Sequence, residues 1–190
     1  MKKLLLLIAL ATMINYVQAQ ESTPYTELVW FDEFDGEGLP NPDKWGYEVG
    51  YVRNGELQYY TKERIQNVYQ QGGYLHLKAI YNDPIYDAQN NILNHKEGHI
   101  TSASITTKHK GDWRYGRFEI RAKVPGPNKG SWPAIWLMPT ESYYGAWPLS
   151  GEIDIMEHVG YSPEYVHFTS HTGNFNANKG SLQSNEYLYN

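Results

Sequence analysis

Three carboxylates stand close together in the run Gly151-Glu152-Ile153-Asp154-Ile155-Met156-Glu157-His158-Val159. Side chains of a β-strand alternate between its two faces, so Ile153 and Ile155 point one way while Glu152 and Asp154 share the other. Glu157 has the wrong parity for that face in a regular strand. A β-bulge that absorbs one extra residue near Ile155-Met156 returns it to the side of its partners. Successive carboxylates then sit about 7 Å apart, from a rise near 3.3 Å per residue. If the outer two lean inward, they approach the ~5–5.5 Å separation that suits a retaining glycosidase.

Such a row is costly, because like charges repel and Asp and Glu are poor strand formers. The same repulsion is useful: it raises the pKa of one carboxyl so that it stays an acid while another stays ionised. On the motif alone three readings stand open: catalysis, a solvated polar strand face, and a calcium site built from carboxylates. The flanking strands favour catalysis. Trp132, Ala134 and Trp136 share a face opposite Ile135 and Leu137, and His167, Thr169 and His171 share one opposite Val166 and Phe168. Where these strands neighbour the Glu152 strand, carboxylates, indoles and imidazoles converge on one surface.

The elements that must position these residues read as strands. Phe118, Ile120, Ala122 and Val124 alternate with Arg117, Glu119, Arg121 and Lys123, and Tyr74 to Ile80 alternates in the same way. Further strands are expected at Leu28–Phe31, Glu56–Tyr60, Ile100–Lys108, Trp132–Met138, Glu152–Val159 and Tyr165–Thr172. Turn chemistry separates them at 36–42, Gly72-Gly73, Pro125-Gly126-Pro127 and 160–163. No ten-residue segment carries a helical period. Many short strands without crossover helices predict an antiparallel sandwich.

The chain has 190 residues and 15% aromatics, with 17 Tyr and 6 Trp, more ring surface than one core needs. That surplus suits either a Tyr-rich sheet or a surface that binds flat, hydroxylated sugar. A net charge of −5 argues against a nucleic-acid partner, whose phosphates need a basic surface. The absence of cysteine excludes disulfides, thiolate metal sites and a Cys nucleophile. Lys2 and Lys3 precede an apolar run from Leu4 to Ile14, and Val17-Gln18-Ala19 offers small-residue cleavage chemistry. Residues 1–19 therefore read as a signal peptide, too short to span a bilayer, with the mature chain secreted or periplasmic.

The run Glu152-Ile153-Asp154-Ile155-Met156-Glu157 resembles the bulged signature of glycoside hydrolase family 16, and the resemblance covers nearly the whole mature chain. Supporting segments in order are 27–34, Asn54-Gly55-Glu56-Leu57-Gln58-Tyr59-Tyr60-Thr61 and 115–123. Trp132-Pro133-Ala134-Ile135-Trp136, Trp147-Pro148-Leu149-Ser150-Gly151 and 166–171 complete them. Within the family the chain is most similar to laminarinase-type endo-β-1,3-glucanases.

The resemblance implies an all-β, concanavalin-like β-jelly-roll sandwich of two antiparallel sheets with a substrate cleft. It implies Glu152 as nucleophile, Glu157 as general acid/base, and Asp154 as the carboxylate that hydrogen-bonds the nucleophile. It further implies sugar stacking on Trp132 and Trp136, substrate contacts from Asn54 and Glu56, and His171 beside the nucleophile. No cofactor is expected for catalysis. Glu33 and the carbonyl of Gly73 are candidates for a structural calcium ion. Ser104 stands where many relatives carry Arg, which removes one polar sugar contact. The expected partner is a β-glucan, with no nucleic acid, no membrane span and a monomeric chain. Mixed-linkage glucan or sulfated algal galactan are alternative substrates, and non-catalytic glucan recognition is the alternative role. Residues 20–190 are expected to form the catalytic domain without its C-terminal strands, because the mature chain falls short of the roughly 200–250 residues usual for such sandwiches.

Overall fold

The computed structural model describes residues 25–188. The expected signal peptide and its cleavage point at Ala19 lie outside the described residues. Two compact units are present: the described residues up to Asp32 with Tyr115–Arg117, and Glu33–Arg114 with the described residues from Phe118 onward. In the first unit the chain forms no strand, and Leu28 and Val29 are exposed. The strand expected at Leu28–Phe31 is therefore not formed. Its β-branched and aromatic residues favour an extended chain, but a strand also needs a partner backbone to close the ladder.

The second unit carries ten strands among the described residues: β1 (Gly46–Tyr47), β2 (Tyr59–Tyr60), β3 (Val68–Gln71), β4 (Tyr74–Leu77) and β5 (Thr101–Ser102), then β6 (Ile105–Thr106), β7 (Ala134–Leu137), β8 (Glu152–Glu157), β9 (Tyr165–His171) and β10 (Gln183–Leu188). The main sheet is antiparallel with order β10-β9-β8-β7. β3 and β4 form a hairpin in which Gln71 faces Tyr74 across Gly72-Gly73. Both glycines have positive φ, 61° and 77°, as a two-residue turn matching the strand twist requires. β2 and β5 pair in parallel, a departure from the expectation of antiparallel pairing throughout.

The other correction is the cleanest alternation in the sequence. Phe118–Val124 forms no strand, and Phe118 and Ile120 stay exposed. A period of two supplies one apolar face but neither a partner ladder nor a surface to cover that face. Glu56–Tyr60 and Ile100–Lys108 shorten to β2 and to β5 with β6.

Polar side chains lock the loops together. Asn67 is buried and gives its amide to Thr101 Oγ1 at 2.9 Å, while its Oδ1 accepts from Thr61 Oγ1 at 3.0 Å and Arg64 Nη1 at 2.7 Å. Arg64 also forks onto Asp83, at 2.7 and 2.9 Å. Burial works against the Asp83 charge, but the Arg64 and Thr101 hydrogen bonds hold its carboxyl below the usual range. Val68, Ala103 and Val159 are the buried hydrophobics among the described residues. No helix among the described residues is long and apolar enough to cross a membrane.

Candidate active site

β8 lies between β7 and β9, so a strand flanks it on each side. Glu152 stands opposite His171, Asp154 opposite Thr169 and Trp136, and Glu157 opposite His167 and Ala134. From Asp154 to Glu157 the chain takes three steps while β9 takes two, from Thr169 to His167. Against β7, Asp154 pairs with Trp136 and Met156 with Ile135, which leaves Ile155 unmatched. Ile155 is the extra residue of a β-bulge. Glu152, Asp154 and Glu157 consequently share one face with Trp136, His167, Thr169 and His171, as their side-chain parity demands.

Indole N–H groups hold both ends of the row. Trp132 Nε1 donates to Glu157 Oε1 at 2.9 Å, and Trp147 Nε1 donates to Glu152 Oε2. In the middle, Asp154 is 4% exposed, and His171 Nε2 lies 3.3 Å from its Oδ2. The His171 ring leans against Trp147 with 5.5 Å between centroids. Burial, the charges of Glu152 and Glu157, and a hydrogen bond with Glu152 push the Asp154 carboxyl up to about 7. Near neutral pH Asp154 thus carries a proton for a large part of the time, and Glu152 can accept it. Two like charges separated by a shared proton repel less than three bare carboxylates do.

Glu152, Asp154 and His171 place one donor atom each within 4.8 Å of one another, the spacing of a metal site. Trp147 already donates to Glu152, and a His171 nitrogen faces Asp154, so protein groups engage both carboxylates of this cluster. For calcium, Glu33 is exposed, and it joins no group of three acidic or imidazole donors among the described residues. Glu33 and one carbonyl at Gly73 would supply two of the 6–8 oxygens calcium takes, the rest coming from waters and other groups.

The remaining expected residues divide. Trp132 keeps an open face, at 59% exposure, while its ring edge bonds Glu157. Trp136 lies beside Asp154, but the Arg53 guanidinium covers one of its faces, 4.9 Å from the ring centroid. Glu56 Oε2 accepts from Gln58 Nε2 at 2.8 Å and Tyr60 Oη at 3.2 Å. Asn54 is exposed at positive φ in the turn that Glu56 N closes onto Arg53 O at 3.1 Å, and it does not join that network. Ser104 gives its hydroxyl to Glu48 Oε2 at 2.6 Å.

Two residues at the site were given no role from the sequence, Trp147 and Arg53. Trp147 had a signal, since it stands just upstream of Glu152 in a segment rich in turn residues. Arg53 had none, because Trp136 reaches it only through the fold.

A family model described as "XgeA-like, catalytic GH16 domain" matches residues 53–188. The chain is 48% identical over 160 residues to a β-glucanase of Rhodothermus marinus, a match covering 82% of this chain and 52% of that protein. It is 41% identical over 156 residues to glucan endo-1,3-β-glucosidase A1 of Niallia circulans, covering 77% and 22%. The solved laminarinase of Rhodothermus marinus superposes with a TM-score of 0.75 at 45% identity, covering 85% of this chain and 61% of that one. The chain thus spans about half the length of the Rhodothermus relative, or less than a quarter of the Niallia one. The fold class follows: an all-β jelly roll, with β7 to β10 as its best-formed sheet. A chain whose match to a catalytic GH16 model runs from Arg53 to Leu188, through the bulged carboxylate strand, belongs to glycoside hydrolase family 16.

Proposed function

We propose that the chain is an exported, endo-acting enzyme that hydrolyses β-1,3-glucan with retention of anomeric configuration. The observation that carries this reading is the bulge at Ile155, which aligns three carboxylates beside indole and imidazole side chains. The names of the relatives, a β-glucanase and a glucan endo-1,3-β-glucosidase, support the substrate class.

In the first step protonated Glu157 gives its proton to the glycosidic oxygen as the bond from that oxygen to C1 breaks. The Glu152 carboxylate attacks C1 and forms a glycosyl ester. Water then attacks C1, Glu157 takes its proton, and Glu152 leaves as a carboxylate. The Trp132 N–H occupies Oε1 of Glu157 and leaves Oε2 for the travelling proton. Asp154 donates to Glu152 and weakens that bond as the nucleophile loses its charge. Trp147 and His171 hold the Glu152–Asp154 pair in place from the other side.

The test is reducing-end release from laminarin, lichenan, agarose and carrageenan, with Glu152→Gln alongside. Laminarin should be cut fastest. The substitution should lower turnover at least a thousandfold, about 4 kcal/mol of barrier, while laminarin binding persists. Activity of Glu152→Gln within tenfold of the wild type, or α-anomer as the first product by proton NMR, would overturn the reading. A chain that binds laminarin and never cuts it would be a glucan-recognition protein instead.

A further inference from the structure

A cation stands over Trp136, beside the carboxylate row, and the reaction as written does not use it. Arg53 lies with its guanidinium 4.9 Å from the ring centroid of Trp136 and 5.8 Å from that of Tyr60. Trp136 is the cross-strand partner of Asp154, so this cation is one residue pair away from the reacting row. Arg53 Nη2 is tied to Glu48 Oε1, and Glu48 Oε2 is itself held by the Ser104 hydroxyl at 2.6 Å. Glu48 is the side-chain hydrogen-bond partner of the Arg53 guanidinium among the described residues.

These contacts fix where the guanidinium sits and leave most of it unspent. A guanidinium carries five N–H donors in a rigid fork, and one edge is engaged with Glu48. The side chain is 24% exposed, so the remaining donors can reach a ligand. The fork matches two adjacent hydroxyls on a sugar ring, each offering lone pairs at the spacing of the two nitrogens. The indole beneath holds the plane of the fork by cation–π attraction.

The surrounding charge decides which sugar. Glu48 neutralises Arg53 directly, and Glu56 adds a second negative charge that bears on it. With the Glu152 row close by, the region is negative overall despite the cation. A sulfated sugar would meet repulsion there, whereas a neutral one would meet only donors and acceptors.

We propose that Arg53, set over Trp136 by Glu48 and Ser104, binds vicinal hydroxyls of a neutral glucosyl unit next to the cleavage point, while the negative charges of Glu48 and Glu56 around it select against sulfated chains. The expected loss of a polar contact at Ser104 is thereby made good from another loop: the small serine side chain holds Glu48, and Glu48 holds Arg53. The inference rests on the β-glucan reading and names the residues that bind the neutral unit and turn a sulfated one away.

The experiment reads binding separately from turnover, so that a failure of the glucanase reading does not hide the answer. Affinity for laminarin and for laminarin sulfate is measured by calorimetry on Glu152→Gln protein, with Arg53→Ala, Arg53→Lys and Glu48→Gln added singly. Arg53→Ala should weaken laminarin binding at least tenfold. Arg53→Lys keeps the charge but not the fork and should lose nearly as much, which a purely structural ion pair would not predict. Glu48→Gln should narrow the preference for laminarin over laminarin sulfate at least threefold, because it removes one negative charge from the site. In the otherwise wild-type enzyme, Arg53→Ala should raise KM for laminarin more than it lowers kcat. Should Arg53→Ala fold poorly by circular dichroism, the lysine and Glu48→Gln variants decide alone. Laminarin affinity of both Arg53 variants within twofold of the parent, or an unchanged preference in Glu48→Gln, would overturn the proposal. An absence of laminarin cleavage with the tenfold binding loss intact would overturn the glucanase reading and leave Arg53 as a glucan contact.

Discussion

At Asp154 the protonation state that serves the chemistry also carries a cost in stability. An unfolded Asp ionises near about 3.9, whereas the folded carboxyl is pushed up to about 7 by burial and by its two acidic neighbours. Between those values the folded chain binds a proton that the unfolded chain releases, so stability falls as pH rises through the window and then levels off. Asp154→Asn stays neutral and keeps an N–H donor for Glu152. Its melting temperature relative to the wild type should climb from pH 4.5 to pH 8, and a pH-independent difference would mean that Asp154 holds no proton. Glu157 gives a sharper test. Glu157→Ala cannot protonate a leaving oxygen, so laminarin turnover should collapse, while aryl glucosides with good leaving groups should still form the covalent intermediate. Azide should then rescue the second step and yield a β-glycosyl azide, detected by mass spectrometry and NMR. No azide adduct would remove Glu157 from that role.

The bulge in β8 is the element on which the site depends. Deleting Ile155 should return β8 to plain alternation, with Met156 still outward and Glu157 still beside Asp154. The deletion should therefore leave measurable retaining activity on laminarin, reduced because the carboxylates crowd. Inserting one alanine between Met156 and Glu157 turns Glu157 to the far face and should drop the initial rate to that of Glu157→Ala. Equal rates for deletion and insertion would show that face parity does not govern the site. The loops before β3 and after β4 depend on a different device, the fork from Arg64 to Asp83. Arg64→Ala leaves that carboxylate and Asn67 short of their donor and should cost about 2 kcal/mol by denaturant unfolding. Asp83 is held below its ordinary range, so its contribution is present above the unfolded pKa near about 3.9 and lost as pH falls through its folded value. The penalty of Arg64→Ala should shrink accordingly in acid.

Across the whole molecule, the charge balance suits the neutral polymer proposed as substrate, and the proposed leader suits work outside the cytoplasm. The net charge of −5 gives no general attraction for polyanions, and the donors and ring faces near β8 supply short-range contacts instead. The reading of residues 1–19 as a signal peptide makes a direct prediction. Expressed whole in a bacterium with an intact export route, the chain should appear beyond the inner membrane with Gln20 as its first residue. Amino-terminal mass spectrometry of the exported fraction checks this, and retention of Met1 in that fraction would refute it.

Which face Glu152 and Asp154 share was legible from Ile153 and Ile155 alone, because strand parity is a property of each residue and its neighbour. Parity also showed that Glu157 needed one extra residue near Ile155-Met156, which is where the bulge lies. The hairpin at Gly72-Gly73 was equally local, since only the turn's own φ angles had to be met. Other features needed the fold. Phe118–Val124 alternates as well as any strand in the chain, yet it forms no strand, and Phe118 and Ile120 stay exposed. Trp147 on Glu152 and Arg53 over Trp136 each join side chains from different segments, and the burial that contributes most to the raised pKa of Asp154 comes only with the packed sheet, although repulsion within the row was legible. Their energies depend on distance and burial, quantities that exist only once strand register and loop packing have brought the groups together.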